Sequence, residues 1–250
     1  MKTLRFIGMA IVAVIMSVNF AACSDDDDDV FQPEDNANSL IKRITTDYGD
    51  GEIEIETFKY DNTGNIVEYI FSDDHCKEMR SYTYKDNTII ASIDYSDQMY
   101  PEESEQYTIV YSVSENKIVA EEAKDYKFVH AYNQDKHLIE TAFSSGYSMN
   151  KLTWEKGNIT SIKESNSVTF TYTYTEYKSK QFINLNNMLP TDIYDAGLLT
   201  QYYGDMPTNL VSQEFSDGKL ENSYQYEFDN EGKLIKVIAN GGEYTVTVEY

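Results

Sequence analysis

The strongest constraint on this chain is a side-chain alternation with a period of two residues. In VTFTYTYT, at 168–175, Val168, Phe170, Tyr172 and Tyr174 share one parity and threonines occupy the other. Because a strand points successive side chains to opposite faces, this pattern predicts a β-strand with one apolar and one wet face. The same alternation recurs at 58–60, 82–84, 107–113, 126–132, 152–154, 224–228 and 244–250.

A turn and a second apolar strand follow most of these segments. YDNTGNIV at 60–67 has the same plan as FDNEGKLI at 228–235, and 84–90, 111–119, 132–139, 154–160 and 215–220 are looser versions. Gly, Asn and Asp at these positions favour tight turns, including type I′ turns. The aromatic residues before the turns recur every 20 to 27 residues, at Tyr60, Tyr84, Tyr111, Tyr132, Trp154 and Tyr174. This period suits one hairpin per repeat.

The sequence therefore predicts an all-β fold for a single domain over 40–250. Hairpins in series give an antiparallel meander of about a dozen strands. A sheet of that size exposes aggregation-prone edges unless it twists or closes. We expect it to curl into a half-barrel or a barrel-like sheet.

One insert interrupts the alternation at 178–213. Within it, TDIYDAGLLTQYYG has Thr191 as a candidate N-cap and Gly204 as a candidate C-cap, which predicts a short helix near 190–204. The neighbouring apolar residues favour an insert that caps an open end of the sheet. A surface excursion is the alternative.

The first 22 residues have the features of an export signal. Lys2 and Arg5 precede an apolar run at 6–18, and Ala21 and Ala22 mark a cleavage site. The run is shorter than the roughly 20 residues of a membrane span. We interpret 1–22 as a signal peptide and 23–39 as an acidic, disordered tether. Cys23 lies where the new N-terminus would be. The alternative is an ordinary signal peptide in which the position of Cys23 is incidental.

The charge balance excludes several kinds of partner. The formal net charge is −23, with 43 acidic and 20 basic side chains. Nucleic acids and anionic membrane surfaces require clustered Lys and Arg, so neither is an expected partner. The second of the two cysteines, Cys76, has no intrachain partner once Cys23 is modified.

No catalytic or metal-binding motif stands out, and no cofactor is predicted. SDDHC at 72–76 contains metal-ligand residue types, but a polar loop is the preferred interpretation. His130 is in phase with Phe128, which favours a buried position, whereas His137 follows a turn and is expected to be solvated. With so many carboxylates, a pair at glycosidase separation would carry little information.

The tyrosines are the remaining candidates for ligand contacts. Aromatic rings on a curved sheet stack on sugars or grip peptides, although most of the 22 tyrosines have the parity of core residues. Tyr100, Tyr202 and Tyr203 fall outside that parity. We expect these three to be exposed and to contact a ligand.

Several motifs together resemble a family of Bacteroidetes lipoproteins of unknown function. They are the cysteine followed by aspartates, ITTDYGDG, the YDNTGNIV-type hairpins and LLTQYYGDMPTNLV, and the likeness covers about 40–250. The resemblance implies a porin-like, curled β-meander fold and a lipid on Cys23, which resembles the cysteine of a lipobox. The hairpins are also similar, more weakly, to the tyrosine-aspartate repeats of Rhs-type proteins.

The residues after the cysteine also resemble a routing signal. Ser24 followed by Asp25, Asp26, Asp27, Asp28 and Asp29 is similar to the export signal of surface lipoproteins in that phylum. The resemblance implies a lipid-anchored outer-membrane protein that faces the cell exterior. It implies no catalytic residue.

We therefore expect a non-enzymatic, lipid-anchored envelope protein that binds a glycan, a peptide or another envelope protein. One alternative is a structural or accessory subunit of an outer-membrane complex, which predicts an exposed apolar patch. The other is a hydrolase with paired carboxylates, which requires an Asp or Glu of raised pKa in a cleft.

Overall fold

The computed structural model describes residues 14–15, 40–165, 167–178, 182–183 and 198–250. Sixteen strands between residues 43 and 249 form a closed antiparallel barrel. They are β1 (Arg43–Asp47), β2 (Ile53–Tyr60), β3 (Ile66–Ser72), β4 (Cys76–Lys85), β5 (Thr88–Asp97), β6 (Glu105–Ser114), β7 (Lys117–Glu122), β8 (Lys127–Tyr132), β9 (Leu138–Phe143), β10 (Ser148–Glu155), β11 (Asn158–Glu164), β12 (Thr169–Lys178), β13 (Asn209–Ser216), β14 (Lys219–Phe228), β15 (Leu234–Ala239) and β16 (Tyr244–Glu249).

Each strand pairs with the next one along the chain, and β16 pairs with β1 to complete the ring. In this closing ladder Thr245 lies opposite Asp47 and Glu249 lies opposite Arg43. Closure leaves none of these sixteen strands with an unpaired edge. The predicted barrel-like meander is confirmed, but its expected size of about a dozen strands is too small.

The sequence predicts too few strands because the second strand of many hairpins does not alternate between buried and exposed side chains. In β3, Ile66 and Tyr69 are buried while the two residues between them are only partly buried. A β-bulge explains this spacing, since Tyr60 pairs with Ile66 and Lys59 pairs with Glu68. The same spacing and register shift relate Ile118 to Glu121, Leu138 to Thr141, Ile159 to Ile162 and Leu234 to Val237.

Alternating strand directions give the barrel two different ends. At the end that we call the capped end lie the connections 61–65, 86–87, 115–116, 133–137, 156–157 and 229–233, together with 198–208. The chain also enters the barrel there, through the buried residues Leu40 and Ile41. At the opposite end, the loop end, lie the connections 48–52, 73–75, 98–104, 123–126, 144–147, 217–218 and 240–243.

Inward-facing side chains fill the barrel, and most outward-facing side chains are polar. Isoleucines such as Ile44, Ile109 and Ile159 are fully buried in one continuous apolar core. In β4 the alternate residues Lys77, Met79, Ser81, Thr83 and Lys85 are exposed, and all of them except Met79 are polar. No helix among the described residues has the length and apolarity needed to cross a membrane.

The repeated aromatic residues fasten the strand pairs at the capped end. The Tyr84 hydroxyl donates a hydrogen bond of 2.8 Å to the carbonyl oxygen of Ile66, which begins the neighbouring strand. Equivalent bonds run from Tyr60 to Ile41, Tyr132 to Ile118, Trp154 to Leu138, Tyr174 to Ile159, Tyr226 to Val211 and Tyr250 to Leu234. We call these contacts the aromatic latches. Their rings join the core, while each donor satisfies a backbone acceptor.

The insert is shorter than predicted, because residue 178 still belongs to β12 and β13 already begins at residue 209. Residues 190–197 of the predicted helix lie outside the described residues, and the described part contains only a 3₁₀ turn at Thr200–Tyr202. Leu198, Leu199 and Tyr203 are buried in the barrel core. This confirms the capping interpretation. A separate two-residue ladder pairs Val14–Ile15 with Phe182–Ile183.

Candidate functional site

The interior of the barrel near the loop end contains buried carboxylates. Glu54 and Glu56 on β2 share the inward face with Phe58, and both are only 2% exposed. The Tyr48 hydroxyl donates to Oε2 of Glu54, and the Tyr69 hydroxyl donates to Oε2 of Glu56, both at 2.9 Å. Burial raises the pKa of Glu54 to about 7 and raises that of Glu56 well above its usual range.

A buried ion pair lies beside these glutamates. On β4, Nε of Arg80 donates to Oε1 of Glu78, and both side chains are almost completely buried. The Arg80 guanidinium also lies 5.8 Å from the centre of the Tyr69 ring. Arg80 pairs directly with Glu78, and its charge only partly offsets the effect of burial on Glu56, so the pKa of Glu56 stays raised.

A second polar group joins residues 198–208, which we call the cap, to the barrel wall. Tyr203 of the cap donates a hydrogen bond of 3.1 Å to Oε2 of Glu121 on β7. The His130 ring packs edge-on against Tyr203, and its Nδ1 lies 3.2 Å from the Thr141 hydroxyl. Burial lowers the pKa of His130 to about 4, so this histidine is neutral at pH 7.

A third group leads from the core toward the loop end. Glu214 accepts hydrogen bonds from Asn222 at 3.4 Å and from Tyr224 at 3.5 Å. Tyr224 is hydrogen-bonded to Tyr244, whose ring lies 5.7 Å from that of Tyr48. Burial raises the pKa of Glu214. These contacts continue to Glu54 and form one chain of tyrosines between two carboxyl groups.

These interior groups are linked by hydrogen bonds, but several have almost no surface for a substrate. Glu56 and Glu78 are 2% and 4% exposed, and Glu121 is fully buried. Sequence reasoning missed Glu54 and Glu56, although their parity with Phe58 was an available signal. The described residues include no group of three or more His, Cys, Asp or Glu side chains placed to hold a metal ion.

Accessible apolar side chains concentrate at the loop end. Met99 and Tyr147 are each 57% exposed and Tyr100 is 51% exposed. Two strand residues next to the loop end, Ile53 and Leu220, are 41% and 47% exposed. These positions make the loop end the best candidate for ligand contact.

The loop at 98–104 holds two of these side chains in place. Oδ1 of Asp97 accepts hydrogen bonds from the backbone N–H groups of Met99 (2.7 Å) and Tyr100 (2.8 Å). The Ser104 hydroxyl accepts from the backbone N–H of Asp97, and the Pro101–Glu103 3₁₀ turn completes the loop. Local hydrogen bonds therefore fix the backbone while the two side chains point outward.

The three tyrosines predicted to contact a ligand differ in accessibility. Tyr100 is exposed, as predicted. Tyr203 is not, because its ring fills the capped end and its hydroxyl is committed to Glu121. Tyr202 is only half-buried, since its ring stacks on Tyr84 and its hydroxyl donates to Asn65. Of the three, Tyr100 is the best placed for ligand contact.

The loop at 72–76 and the two histidines His130 and His137 contact neighbouring backbone and side-chain groups of the barrel. Oδ1 of Asp73 accepts from the backbone N–H groups of His75 and Cys76, which is the arrangement of a polar loop. Burial raises the pKa of the Cys76 thiol to about 12. His130 is buried as expected, whereas His137, which was expected to be solvated, is partly buried and its ring stacks on Trp154 at 4.2 Å.

Cys23, Ser24 and the run from Asp25 to Asp29 lie outside the described residues. The predictions that concern the signal peptide, the lipid and the routing signal therefore stay predictions.

Comparison with known proteins identifies the fold. No family model matches the sequence, and no curated protein matches it. Among solved structures, the chain is similar to a porin-like protein from Bacteroides vulgatus, with a TM-score of 0.51 and 14% identity. The match covers 84% of this chain and 98% of that one. The two chains share a fold. At this identity the likeness says nothing about a shared ligand or activity.

Proposed function

We propose that this protein is a lipid-anchored protein of the outer membrane that faces the cell exterior and binds a ligand without catalysis. The ligand is a glycan, a peptide or another envelope protein. The observation that carries the proposal is the difference between the two ends of the barrel. The chain enters at the capped end, which Leu198, Leu199 and Tyr203 fill, while exposed aromatic and apolar side chains lie at the loop end.

The position of the proposed anchor predicts which end of the barrel faces the membrane. A lipid on Cys23 would be followed by a tether over 23–39, which spans at most about 60 Å when fully extended. Because the tether joins the barrel at Leu40, the capped end would face the membrane. The loop end would then face away from it, where a partner has access.

Experiments on cells and on the purified protein test this proposal. Metabolic labelling with an alkyne fatty acid should label the chain and should fail in Cys23→Ser. Protease treatment of intact cells should degrade the anchored protein, and a protein that stays intact until lysis would overturn its surface location. A glycan array and a pull-down should return a ligand whose binding Tyr100→Ser weakens.

The accessory-subunit alternative shares the exposed apolar residues at the loop end. Crosslinking in intact cells separates the two, because a subunit should be recovered with a constant partner in a fixed ratio. A binding module should instead be recovered with its partner only when the ligand is present.

One observation favours the hydrolase alternative, namely the pKa of about 7 for Glu54, which suits a general acid. The 2% exposure of Glu54 opposes it, because a substrate would need to enter a filled interior. Hydrolysis of glycosides by the wild type and its loss in Glu54→Gln would support an enzyme.

A further inference from the structure

We propose that the loop at 98–104, together with the adjacent loop at 73–75, is a docking site for a basic polypeptide segment. This inference rests on the proposed binding role and names the class of partner. The surface consists of Met99 and Tyr100 and of the acidic side chains Asp74, Glu102 and Glu103, and we call it the 99–103 surface.

Exposure of two large side chains side by side is the first step. Met99 and Tyr100 are more than half exposed although a hydrogen-bonded loop holds their backbone in one conformation. These two side chains are not part of the apolar core, so their presence is not explained by a contribution to its packing. A rigid loop that displays Tyr and Met lowers the entropy cost of binding, and both residue types are enriched at protein interfaces.

Contact between the two loops is the second step. The backbone N–H of Gln98 donates a hydrogen bond of 2.9 Å to the carbonyl oxygen of His75. This bond places Asp74 near the base of the 98–104 loop. The carboxylates on both loops therefore belong to one surface.

Charge identifies the partner. Asp74, Glu102 and Glu103 are exposed, and none of them forms an ion pair within 4.0 Å in the described part of the chain. The loop-end connections contain nine acidic residues and one basic residue, Lys124. The acidic residues are Asp50, Glu52, Asp73, Asp74, Glu102, Glu103, Asp125, Asp217 and Glu243. Such a surface repels a second copy of this chain and attracts Lys and Arg side chains.

Apolar and charged contacts together favour a peptide over a simple cation. An Arg guanidinium beside Tyr100 gains a cation–π interaction. A neighbouring apolar side chain of the partner covers Met99, and the flanking carboxylates pair with further basic groups. The partner is thus a segment in which Lys or Arg alternates with apolar residues.

The test measures binding of a fluorescent peptide with four Arg-Gly-Leu repeats to the full chain, purified in a mild non-ionic detergent at 0.15 M salt. The double variant Glu102→Lys/Glu103→Lys should weaken binding at least tenfold. Its control is Asp135→Lys/Asp205→Lys, which makes the same change in net charge at the capped end and should change binding less than twofold. Both control positions are exposed.

A second pair of variants tests the apolar contact. Tyr100→Ser should weaken binding about fivefold, whereas Tyr177→Ser, which replaces a tyrosine of equal exposure at the capped end, should not. Equal weakening by Asp135→Lys/Asp205→Lys would show attraction to the overall charge and would overturn the proposal. Absence of binding at 0.15 M salt would overturn it too. A glycan that bound the same protein in a Tyr100-dependent way would then leave the broader binding function intact.

Discussion

The Tyr203 hydroxyl lies 3.1 Å from Oε2 of Glu121, and this hydrogen bond joins the cap to the wall of the barrel. Both residues are fully buried, so the bond is shielded from water. A donor lost at this position leaves a carboxylate oxygen that solvent does not reach. Breaking this bond therefore costs more free energy than breaking an exposed hydrogen bond of the same length.

Tyr203→Phe should lower the free energy of unfolding by about 1–3 kcal/mol, the cost of leaving a buried acceptor without its hydrogen-bond donor. Urea unfolding followed by tryptophan fluorescence measures this change, since Trp154 lies at the same end. Tyr147→Phe removes an exposed hydroxyl and should have no effect. Equal stability of the two variants would show that the bond does not hold the cap.

Gly204 lies within the cap in a conformation that only glycine adopts easily, with φ at +80°. A Cβ there would overlap the carbonyl oxygen of Lys136. Gly204→Ala should therefore destabilise the protein by more than the roughly 1 kcal/mol that positive φ alone costs. Gly218 has φ at +81° with open space around its Cβ position, so Gly218→Ala measures the cost of positive φ alone. Thermal unfolding should place Gly204→Ala well below that control.

The aromatic latches should each contribute a modest stability. Tyr84→Phe and Tyr132→Phe keep the rings in the core but remove the hydroxyls that donate to Ile66 and Ile118. Each change should cost about 0.5–1.5 kcal/mol, and the double variant should cost the sum because the two latches lie on different strand pairs. Urea denaturation checks both values. A double variant as stable as wild type would contradict a structural role for the latches.

Stability should depend on pH through Glu54. Its pKa of about 7 in the folded protein lies above the usual glutamate value of 4.5, so the folded state binds the extra proton between these values. Stabilisation by this proton is fully present below about pH 4.5 and is lost as the pH rises through 7. Glu54→Gln should remove this part of the pH dependence, so that wild type loses more of its melting temperature than the variant does between pH 5 and pH 8.

His130 acts in the opposite direction and needs its own control. Its pKa of about 4 lies below the usual 6.5, so the unfolded state binds the proton first and stability is lost as the pH falls from 6.5 toward 4. The comparison of wild type with Glu54→Gln cancels this contribution because His130 is present in both. An identical pH dependence of the two proteins would show that Glu54 does not carry the proton.

The alternation of side chains was enough to predict the first strand of each hairpin and the face of that strand that contacts water. In β12 the threonines Thr171 and Thr173 are exposed and Tyr172 is buried, as VTFTYTYT implies. The return strands were harder because a bulge replaces the period of two with a spacing of three, as between Ile66 and Tyr69. Register shifts of this kind depend on the partner strand and leave only a weak mark on the sequence itself.

Closure and the interior polar groups were beyond sequence reasoning for different reasons. The ladder between Thr245 and Asp47 joins segments almost 200 residues apart, so no local pattern reports it. Glu54 and Glu56 have the parity of core residues, but carboxylates rarely lie inside a protein without partners. Their partners Tyr48 and Tyr69 come together only in the folded barrel. The prediction that Tyr203 is exposed is wrong because the cap places its ring inside the barrel.

The ring of paired strands has a consequence for how such a chain changes length during evolution. Every neighbouring pair in the ring is antiparallel, including the pair that closes it. Loss or gain of one strand would force two neighbours to run parallel, and loss of one residue within a strand would turn its remaining side chains inside out. A whole hairpin, in contrast, can be duplicated or deleted while every other side chain keeps its orientation. Homologues of this barrel should therefore differ in circumference by steps of two strands.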